Sequence, residues 1–201
     1  MEMDKILDPR LQRLTLINEL LPAKPELDQL PTFEVFVKTR ANRPWRHEGS
    51  VHASTLEMAF VFAKEQYSRR GTCLSIWVIA THDLFVTDYA DNQTDIYDQF
   101  TETPDCSGEV WEVFHMYKRG TQHTHAGQVS APTPQAALAC ARTTLERPKP
   151  VLNAWVGTAG KFRKSTPEEE AMWQTTPEKL FREAIDYKTN EKIKAFKAAQ
   201  S

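Results

Sequence analysis

The sequence contains the same segment twice, and any fold for this chain must accommodate both copies. Thr32–Phe36 returns 78 positions later as Val110–Phe114. The same offset, without a gap, aligns three further pairs: His47-Glu-Gly49 with His125-Ala-Gly127, Ala59 with Ala137, and Trp77-Val78 with Trp155-Val156. Chance would not hold this register over so many positions. The chain of 201 residues therefore contains two copies of one small module.

Each copy predicts two strands, a helix and a third strand. In the first copy, Phe33, Val35 and Val37 alternate with polar residues, which indicates a half-buried strand. A second short strand is predicted near 50–52 and 128–130. The predicted helix begins at the capping box Ser54-Thr-Leu-Glu57, and in the second copy at Thr133 before Pro134. The near-continuous apolar run Leu74–Ile79 predicts a central strand buried on both faces.

A module of about 50 residues buries little of its own surface. We therefore expect an α+β fold in which two β-β-α-β modules pack as an internal pseudo-dimer, with helices added at both termini. Met58, Val61 and Phe62 give the first helix a second apolar face, which needs a second partner.

The expected division of the chain is an N-terminal helical arm (1–31), a first module with an acidic linker (32–109), a second module (110–160) and a C-terminal helical tail (161–201). Apolar residues at helical spacing between 6 and 21 predict the arm helix, and Ser165-Thr-Pro-Glu168 and Thr176-Pro-Glu178 predict helix starts in the tail. The two ends have two interpretations: packing on the modules, or contact with another protein.

Composition excludes several classes of protein. With 25 basic and 27 acidic residues the net charge is −2, which gives no support for binding nucleic acid or an anionic membrane. The longest apolar runs, Met58–Ala63 and Ala136–Ala141, are far shorter than the roughly 20 residues of a membrane helix. The N-terminal residues lack an export signal, so we expect a soluble cytoplasmic protein. Three cysteines without a C-x-x-C spacing predict reduced thiols, neither a disulfide framework nor a zinc site.

Motifs that suggest chemistry are incomplete. Glu112-Val-Phe-His115 has the spacing of a di-iron ligand pair on a helix, but in a predicted strand the two side chains point to opposite faces. His123 and His125 would share one face of an extended segment, where two imidazoles could bind a metal, but no third ligand is identified. We interpret them as structural or interface histidines, and we expect no catalytic residue, metal or cofactor.

Two charged segments have a structural and a functional interpretation. Arg40, Arg43 and Arg46 lie in a basic loop with Trp45, which is either a solvated hairpin loop or a contact for an acidic protein surface or phosphate. The stretch 83–109 holds eight acidic residues and no lysine or arginine. It is either a solvated linker or a docking strip for a basic partner.

Several motifs together resemble the PaaB family, the small B component of bacterial multicomponent phenylacetyl-CoA oxygenases (epoxidases). In the first copy they are Phe33-Glu-Val-Phe36, His47-x-Gly49-Ser50-x-His52-Ala53, Glu57-Met58-Ala59, Tyr67-x-Arg69-Arg70 and Ser75-Ile-Trp-Val78. In the second copy they are Trp111-Glu-Val-Phe114, His123-x-His125-x-Gly127 and Ala131-Pro132. The chain departs from the family in being a fused pair. It also has Trp45 for the first histidine of copy one and Ser130 where copy one has His52.

The resemblance implies a non-catalytic accessory subunit that bridges or stabilises a di-iron oxygenase complex acting on an aromatic or acyl-CoA substrate. Its implied partners are the di-iron oxygenase subunit and the structural homologue of that subunit, both ferritin-like. The candidate partner-interface residues are Arg40, Arg43, Trp45, Arg46, His47, His52, Arg69, Arg70, His123 and His125. The alternative is a self-contained small-molecule-binding protein or enzyme with a pocket between the modules, lined by His123, His125, Trp77 and Trp155. A third candidate is an RNA-binding module that uses the basic loop, against which the net charge argues.

Overall fold

The computed structural model describes residues 29–68, 73–90, 94–101, 103–174 and 189–199. The predicted arm helix, the helix start at Thr176 and the candidates Arg69 and Arg70 lie outside these residues. The predicted helix start at Ser165 is confirmed, since a helix runs over Pro167–Gln174.

In the described part of the chain, eight strands form one antiparallel sheet, which confirms the α+β class. The strands are β1 (Thr32–Lys38), β2 (Arg46–His52), β3 (Ser75–Ala80), β4 (Leu84–Val86), β5 (Glu109–Met116), β6 (Thr124–Ala131), β7 (Asn153–Thr158) and β8 (Arg163–Lys164). The helices are α1 (Leu56–Tyr67), α2 (Pro134–Thr144), α3 (Pro167–Gln174) and α4 (Thr189–Ala199). Short 3₁₀ turns occupy Thr81–Asp83, Ile96–Gln99 and Ala159–Lys161. None of these helices is long and apolar enough to cross a membrane.

The sheet order is β4-β7-β5-β6-β2-β1-β3-β8, so strands of both repeats share one sheet. The repeats also exchange a strand that the sequence did not predict. β4 follows β3 in the chain but pairs with β7, where Val86 lies opposite Trp155. At the equivalent positions, β8 follows β7 but pairs with β3, where Lys164 lies opposite Trp77. Each repeat therefore completes the sheet of the other.

The two halves of the sheet join at β2 and β6. Arg46 pairs with Thr124 there. Two further main-chain bonds close the junction: the amide of His47 donates to the carbonyl of His123 (2.9 Å), and the amide of His125 donates to the carbonyl of Trp45 (2.8 Å). The second strands are longer than the sequence predicted because they begin at Arg46 and Thr124, one residue ahead of His47 and His125.

The sheet curves around an interior of its own. Phe36 on β1 and Phe114 on β5 are separated in the sheet by β2 and β6, yet their ring centroids lie 4.1 Å apart. A flat sheet would separate these strands by about 14 Å. The outer face packs against α1 in one repeat and α2 in the other, and the inner face forms a third cluster with Trp77, Ile79 and Phe162. The predicted first strand with Phe33, Val35 and Val37 buried is confirmed, but its second face is covered as well, because Phe36 on that face is buried in the interior.

Helices α1 and α2 each begin at a threonine cap. The hydroxyl of Thr55 accepts from the amide of Met58, and the hydroxyl of Thr133 accepts from the amide of Ala136, both at 3.2 Å. Pro134 then occupies the first helical position, as predicted. The cap of α1 is one residue later than Ser54, in the register that the repeat itself gives.

Cys106 and Cys140 form a disulfide, which corrects the expectation of reduced thiols. The chain ahead of β5 folds back along α2 and brings the two Cα atoms within 5.7 Å. An odd number of cysteines excludes complete pairing but not one pair, and a separation of 34 residues carries no local signal. Cys73 is free and buried.

The acidic segment is partly buried rather than a fully solvated linker. Ile96 and Tyr97 are completely inaccessible and belong to the core that α2 covers. Asp95 forms an ion pair with Arg147 (3.2 Å), and its carboxylate accepts from the amide of Tyr97. The segment is therefore fixed against the second repeat, also through the main-chain bond from the amide of Ile96 to the carbonyl of Val151 (2.8 Å), although charge dominates its composition.

Candidate functional site

The residues that carry the family resemblance meet in the interior of the curved sheet. Glu34 on β1 accepts a hydrogen bond from His47 on β2, and Glu112 on β5 accepts one from His125 on β6. Both bonds join Nε2 to Oε2 at 2.7 Å. The two pairs are related by the offset of 78, and alternation along β1 and β5 places each glutamate on the inner face beside a phenylalanine.

A β-bulge aims each histidine into the interior. The pairing register shifts between Val35 and Phe36, and again at the equivalent point of β5. The extra residue precedes Gly49 in β2 and Gly127 in β6, and these glycines have φ of 147° and 150°. Residues other than glycine rarely adopt this backbone conformation. The His-x-Gly motif therefore places a glycine where the bulge requires one.

Aromatic rings enclose both pairs. Trp45 stacks on Trp77 with centroids 4.1 Å apart, and in the second repeat His123 stacks on Trp155 at 4.0 Å. His123 therefore occupies the place of Trp45. The rings also cross between repeats, since His47 contacts Trp155 (4.9 Å) and His125 contacts Trp77 (5.2 Å).

The second repeat holds its glutamate more tightly. The Glu112 side chain is inaccessible, and besides His125 it accepts from Gln128 (2.8 Å) and Lys164 (2.5 Å). Burial acts to raise the pKa of Glu112, but the hydrogen bonds from His125, Lys164 and Gln128 outweigh it and hold this pKa below its ordinary value. Glu112 is therefore ionised at neutral pH.

The first repeat lacks the lysine. Glu34 has Thr81 as its second partner (3.0 Å), and its side chain keeps 13% of its surface exposed. Lys164 lies on the exchanged strand β8, where the equivalent position of β4 is Val86. The strand exchange thus delivers a cation to only one of the two pairs.

Two further histidines are buried and neutral. Burial lowers the pKa of His115 to about 4, and the charge of Arg147 acts in the same direction. Its Nε2 lies 2.6 Å from the Tyr97 hydroxyl. Burial also lowers the pKa of His123 to about 4, although the hydrogen bond to Asn153 (2.6 Å) opposes the shift. Neutral imidazoles at these positions act as structural hydrogen-bonding groups at physiological pH.

The structure does not bring together the residue pairs that the sequence analysis considered as metal ligands. Glu112 lies on the inner face with His125, whereas His115 lies on the outer side with Tyr97, so the prediction of opposite faces is confirmed. His123 and His125 both enter the interior, but each bonds to a different partner. Among the described residues, no three or more His, Cys, Asp or Glu side chains are grouped to hold a metal ion.

The residues proposed to line a pocket between the modules contact one another's rings instead. Trp77, Trp155, His123 and His125 take part in the stacks and edge contacts of the interior. Carboxylate–imidazole pairs can act as general bases, but here the imidazoles lie against aromatic rings. The arrangement is suited to holding strands of both repeats together.

An open groove of about 980 Å³ lies outside the interior, at the junction of the repeats. The first repeat contributes the exposed Arg40, Arg43 and Arg46, and the second contributes Tyr117 and the loop 120–122. Arg46 donates to the side chain of Gln122 across this junction. We call this feature the basic groove.

The interface candidates divide between surface and interior. Arg40, Arg43 and Arg46 are exposed, as is His52, whose Nδ1 lies 3.1 Å from the Thr32 hydroxyl. Trp45, His47, His123 and His125 belong to the interior instead. Glu34 and Glu112 were not predicted as partners of these histidines. The signal in the sequence was that both glutamates and both histidines recur at the same offset.

Comparisons with known proteins match this repeated architecture. The family model of Phenylacetic acid degradation B (PaaB) matches residues 29–102 and again residues 108–194. The B component of 1,2-phenylacetyl-CoA epoxidase from Escherichia coli (strain K12) is 39% identical over 54 residues, which cover 27% of this chain and 57% of that protein. No solved structure matches. The chain therefore belongs to the PaaB family and carries the family sequence in tandem.

Proposed function

We propose that the chain is a non-catalytic accessory subunit of a multicomponent di-iron oxygenase of the phenylacetyl-CoA epoxidase type. It bridges or stabilises the di-iron subunit and the structural homologue of that subunit, both ferritin-like proteins. The observation that carries this proposal is the double match to the PaaB family, together with a relative that is the B component of such an epoxidase.

In this proposal the two repeats take the place of two copies of a single-module subunit, packed as an internal pseudo-dimer. The reciprocal pairing of β4 with β7 and of β8 with β3 supports it, because each repeat needs the other to complete its sheet. The main-chain bonds between β2 and β6 support it as well. Fusion keeps the two halves at a fixed ratio.

The environment of the motif residues supports a non-catalytic role. Each Glu–His pair is bonded internally and lies against aromatic rings, so its polar atoms stabilise the fold. Iron and oxygen chemistry then belongs to the partner subunit. The substrate of the complex, aromatic or acyl-CoA, is held by that partner.

The basic groove is the surface we propose for the partner. Arg40 and Arg43 are exposed, and arginine forks suit carboxylates on an opposing acidic surface. The interior candidates Trp45, His47, His123 and His125 would support this surface from behind. His52, Arg69 and Arg70 complete the proposed interface.

The test is co-expression of the chain with the oxygenase subunits of its own organism, followed by affinity measurement. Arg40→Glu with Arg43→Glu should weaken binding at least about tenfold, since charge reversal at an interface replaces attraction by repulsion. The matched control is Lys149→Glu with Lys161→Glu, which changes the charge equally at two exposed lysines that do not line the groove. This control should bind like the unmodified chain.

Iron analysis provides the second readout. The purified complex should contain iron, and the chain alone should contain none in stoichiometric amount. Tight iron binding by the chain alone, turnover by the chain alone, or equal loss of binding in both charge variants would contradict the proposal.

A further inference from the structure

Helix α1 presents an apolar face that no described element covers. Its inner side buries Ala59, Phe60 and Ala63 against the sheet. On its outer side Met58, Val61 and Phe62 are 43%, 53% and 43% exposed. Three large apolar side chains grouped on one surface indicate a contact that another segment completes.

The second repeat shows what covers the equivalent face. The counterparts of Val61 and Phe62 on α2 are Ala139 and Cys140, which are buried at 6% and 0% exposure. The segment 94–107 precedes β5. Its described residues, 94–101 and 103–107, run along this face, and the Cys106–Cys140 disulfide joins the segment to α2. It is held further by Arg142, whose guanidinium donates to the carbonyl of Phe100 (3.1 Å).

The chain enters both repeats at the same place relative to the helix. In the second repeat Glu109 pairs with Ala131, just ahead of the α2 cap. In the first repeat the equivalent residues are Pro31 and Ala53, and the amide of Ala53 donates to the carbonyl of Pro31 (3.1 Å). Whatever precedes β1 therefore starts beside α1, as the segment 94–107 ends beside α2.

The residues that precede β1 have the composition this position requires. The apolar residues at helical spacing in this arm are Ile6, Leu7, Leu11, Leu14, Ile17, Leu20 and Leu21. A helix over 6–21 would be about 24 Å long, enough to extend along the roughly 18 Å of α1. The polar residues between them suit the solvent side of such a helix.

We propose that the outer face of α1 is the docking surface for residues 1–28 of the same chain. Their apolar stripe covers Met58, Val61 and Phe62, as the segment 94–107 covers α2. The arm is tethered within a few residues of the face, which gives it an effective concentration that a separate partner lacks. Phe62 is the equivalent of Cys140, so the first repeat has no disulfide at this position. The aromatic ring of Phe62 instead adds apolar surface to the proposed contact with the arm. This inference does not depend on the proposed function.

The first test measures thiol labelling in the full-length chain. Val61→Cys is compared with Tyr89→Cys, because the exposed fractions of these two residues are nearly equal, 53% and 55%, and Tyr89 does not lie on α1. The cysteine at 61 should react at least about tenfold more slowly, since labelling requires the arm to open locally. Leu14→Asp with Ile17→Asp should abolish this protection and leave labelling at 89 unchanged. Equal labelling rates for the cysteines at 61 and 89, in chains with an unaltered arm, would overturn the proposal.

The second test identifies the occupant directly. A photo-crosslinking amino acid at 61 in the full-length chain should attach to residues 1–28 within a monomer. The same amino acid at 89 should not reach them. Attachment at 61 to a second copy, to the C-terminal tail or to solvent-derived products alone would overturn the proposal.

Discussion

The two repeats share a backbone but differ in how they hold the same glutamate. In the first repeat Glu34 has His47 and Thr81 as partners and keeps some contact with solvent. In the second, Glu112 is inaccessible and bonded to His125, Gln128 and Lys164. The stacking ring also differs, because His123 replaces Trp45. The fold thus tolerates exchange of the surrounding groups while each repeat retains its Glu–His pair.

The largest effect should come from removing the charge of Glu112. Glu112→Gln takes the ionised acceptor away from three donors, His125, Gln128 and Lys164, at a position that is itself inaccessible, which should lower the free energy of unfolding by about 3–5 kcal/mol. Glu34→Gln, at the more accessible equivalent position, should cost about 1 kcal/mol. Urea denaturation of both variants measures the difference. Equal losses would show that the two pairs contribute alike.

The disulfide should give the next largest effect, and only in the second repeat. Cys106→Ser should lower the free energy of unfolding by about 3 kcal/mol, because the bond closes a loop in the unfolded chain. A reducing agent should lower the melting temperature of the parent and leave that of the variant unchanged. A parent protein insensitive to reduction would contradict this account of the α2 face.

Alanine should cost more stability at Gly49 than at Gly127, because the side chain next to Gly49 is held more rigidly. A Cβ at Gly49 would collide with the hydroxyl of Tyr67, which donates to the carbonyl of Ser50 (3.1 Å). At Gly127 it would meet a methyl of Leu145, which can rotate away. Gly49→Ala should cost about 2–3 kcal/mol and Gly127→Ala about 1–2 kcal/mol. Thermal denaturation distinguishes the two, and a reversed order would contradict the packing described.

Acid should destabilise the second repeat through its buried histidines. The folded pKa of His123 is about 4, below the ordinary value of 6.5, so between these values the unfolded chain binds a proton that the folded chain does not. Stability is therefore full above pH 6.5 and falls as the pH is lowered toward 4, by at most about 1.4 kcal/mol per pH unit. His115 has a folded pKa of about 4 and adds a similar loss.

His123→Trp, which copies the first repeat, tests this dependence. The variant should lose the contribution of His123 and show a shallower decrease of stability between pH 6.5 and pH 4. Denaturation curves at several pH values measure the slope. An unchanged slope would show that His123 is not neutral in the folded protein.

Much of the fold was predictable because each copy of the repeat provides an independent check on the elements predicted for the other. The offset that aligns Phe33 with Trp111 also aligns the strands, the helices and both threonine caps. The exchanged strands were not predictable, because β4 and β8 are three and two residues long and pair with the other repeat. Short segments of this kind have no periodicity to detect, and only the tertiary structure decides their partners.

The site was predicted less well than the fold. Polar residues that alternate with apolar ones, such as Glu34 and Glu112, indicate a solvated face when a strand is considered alone. The curved sheet covers that face, so glutamates and histidines that looked exposed are paired in the interior. Covering by a distant part of the chain leaves no local signal, so the sequence did not predict that four interface candidates lie in the interior.

We infer from the exchanged strands that the two repeats form one obligate unit, as two subunits of a dimer would. The most direct measurement is native mass spectrometry of the chain divided after Ser107, with Cys106→Ser so that no disulfide joins the halves. We expect that the co-expressed halves form a stable 1:1 complex and that neither is folded alone, because each half donates a strand to the other. Two halves that fold separately as stable monomers would contradict it.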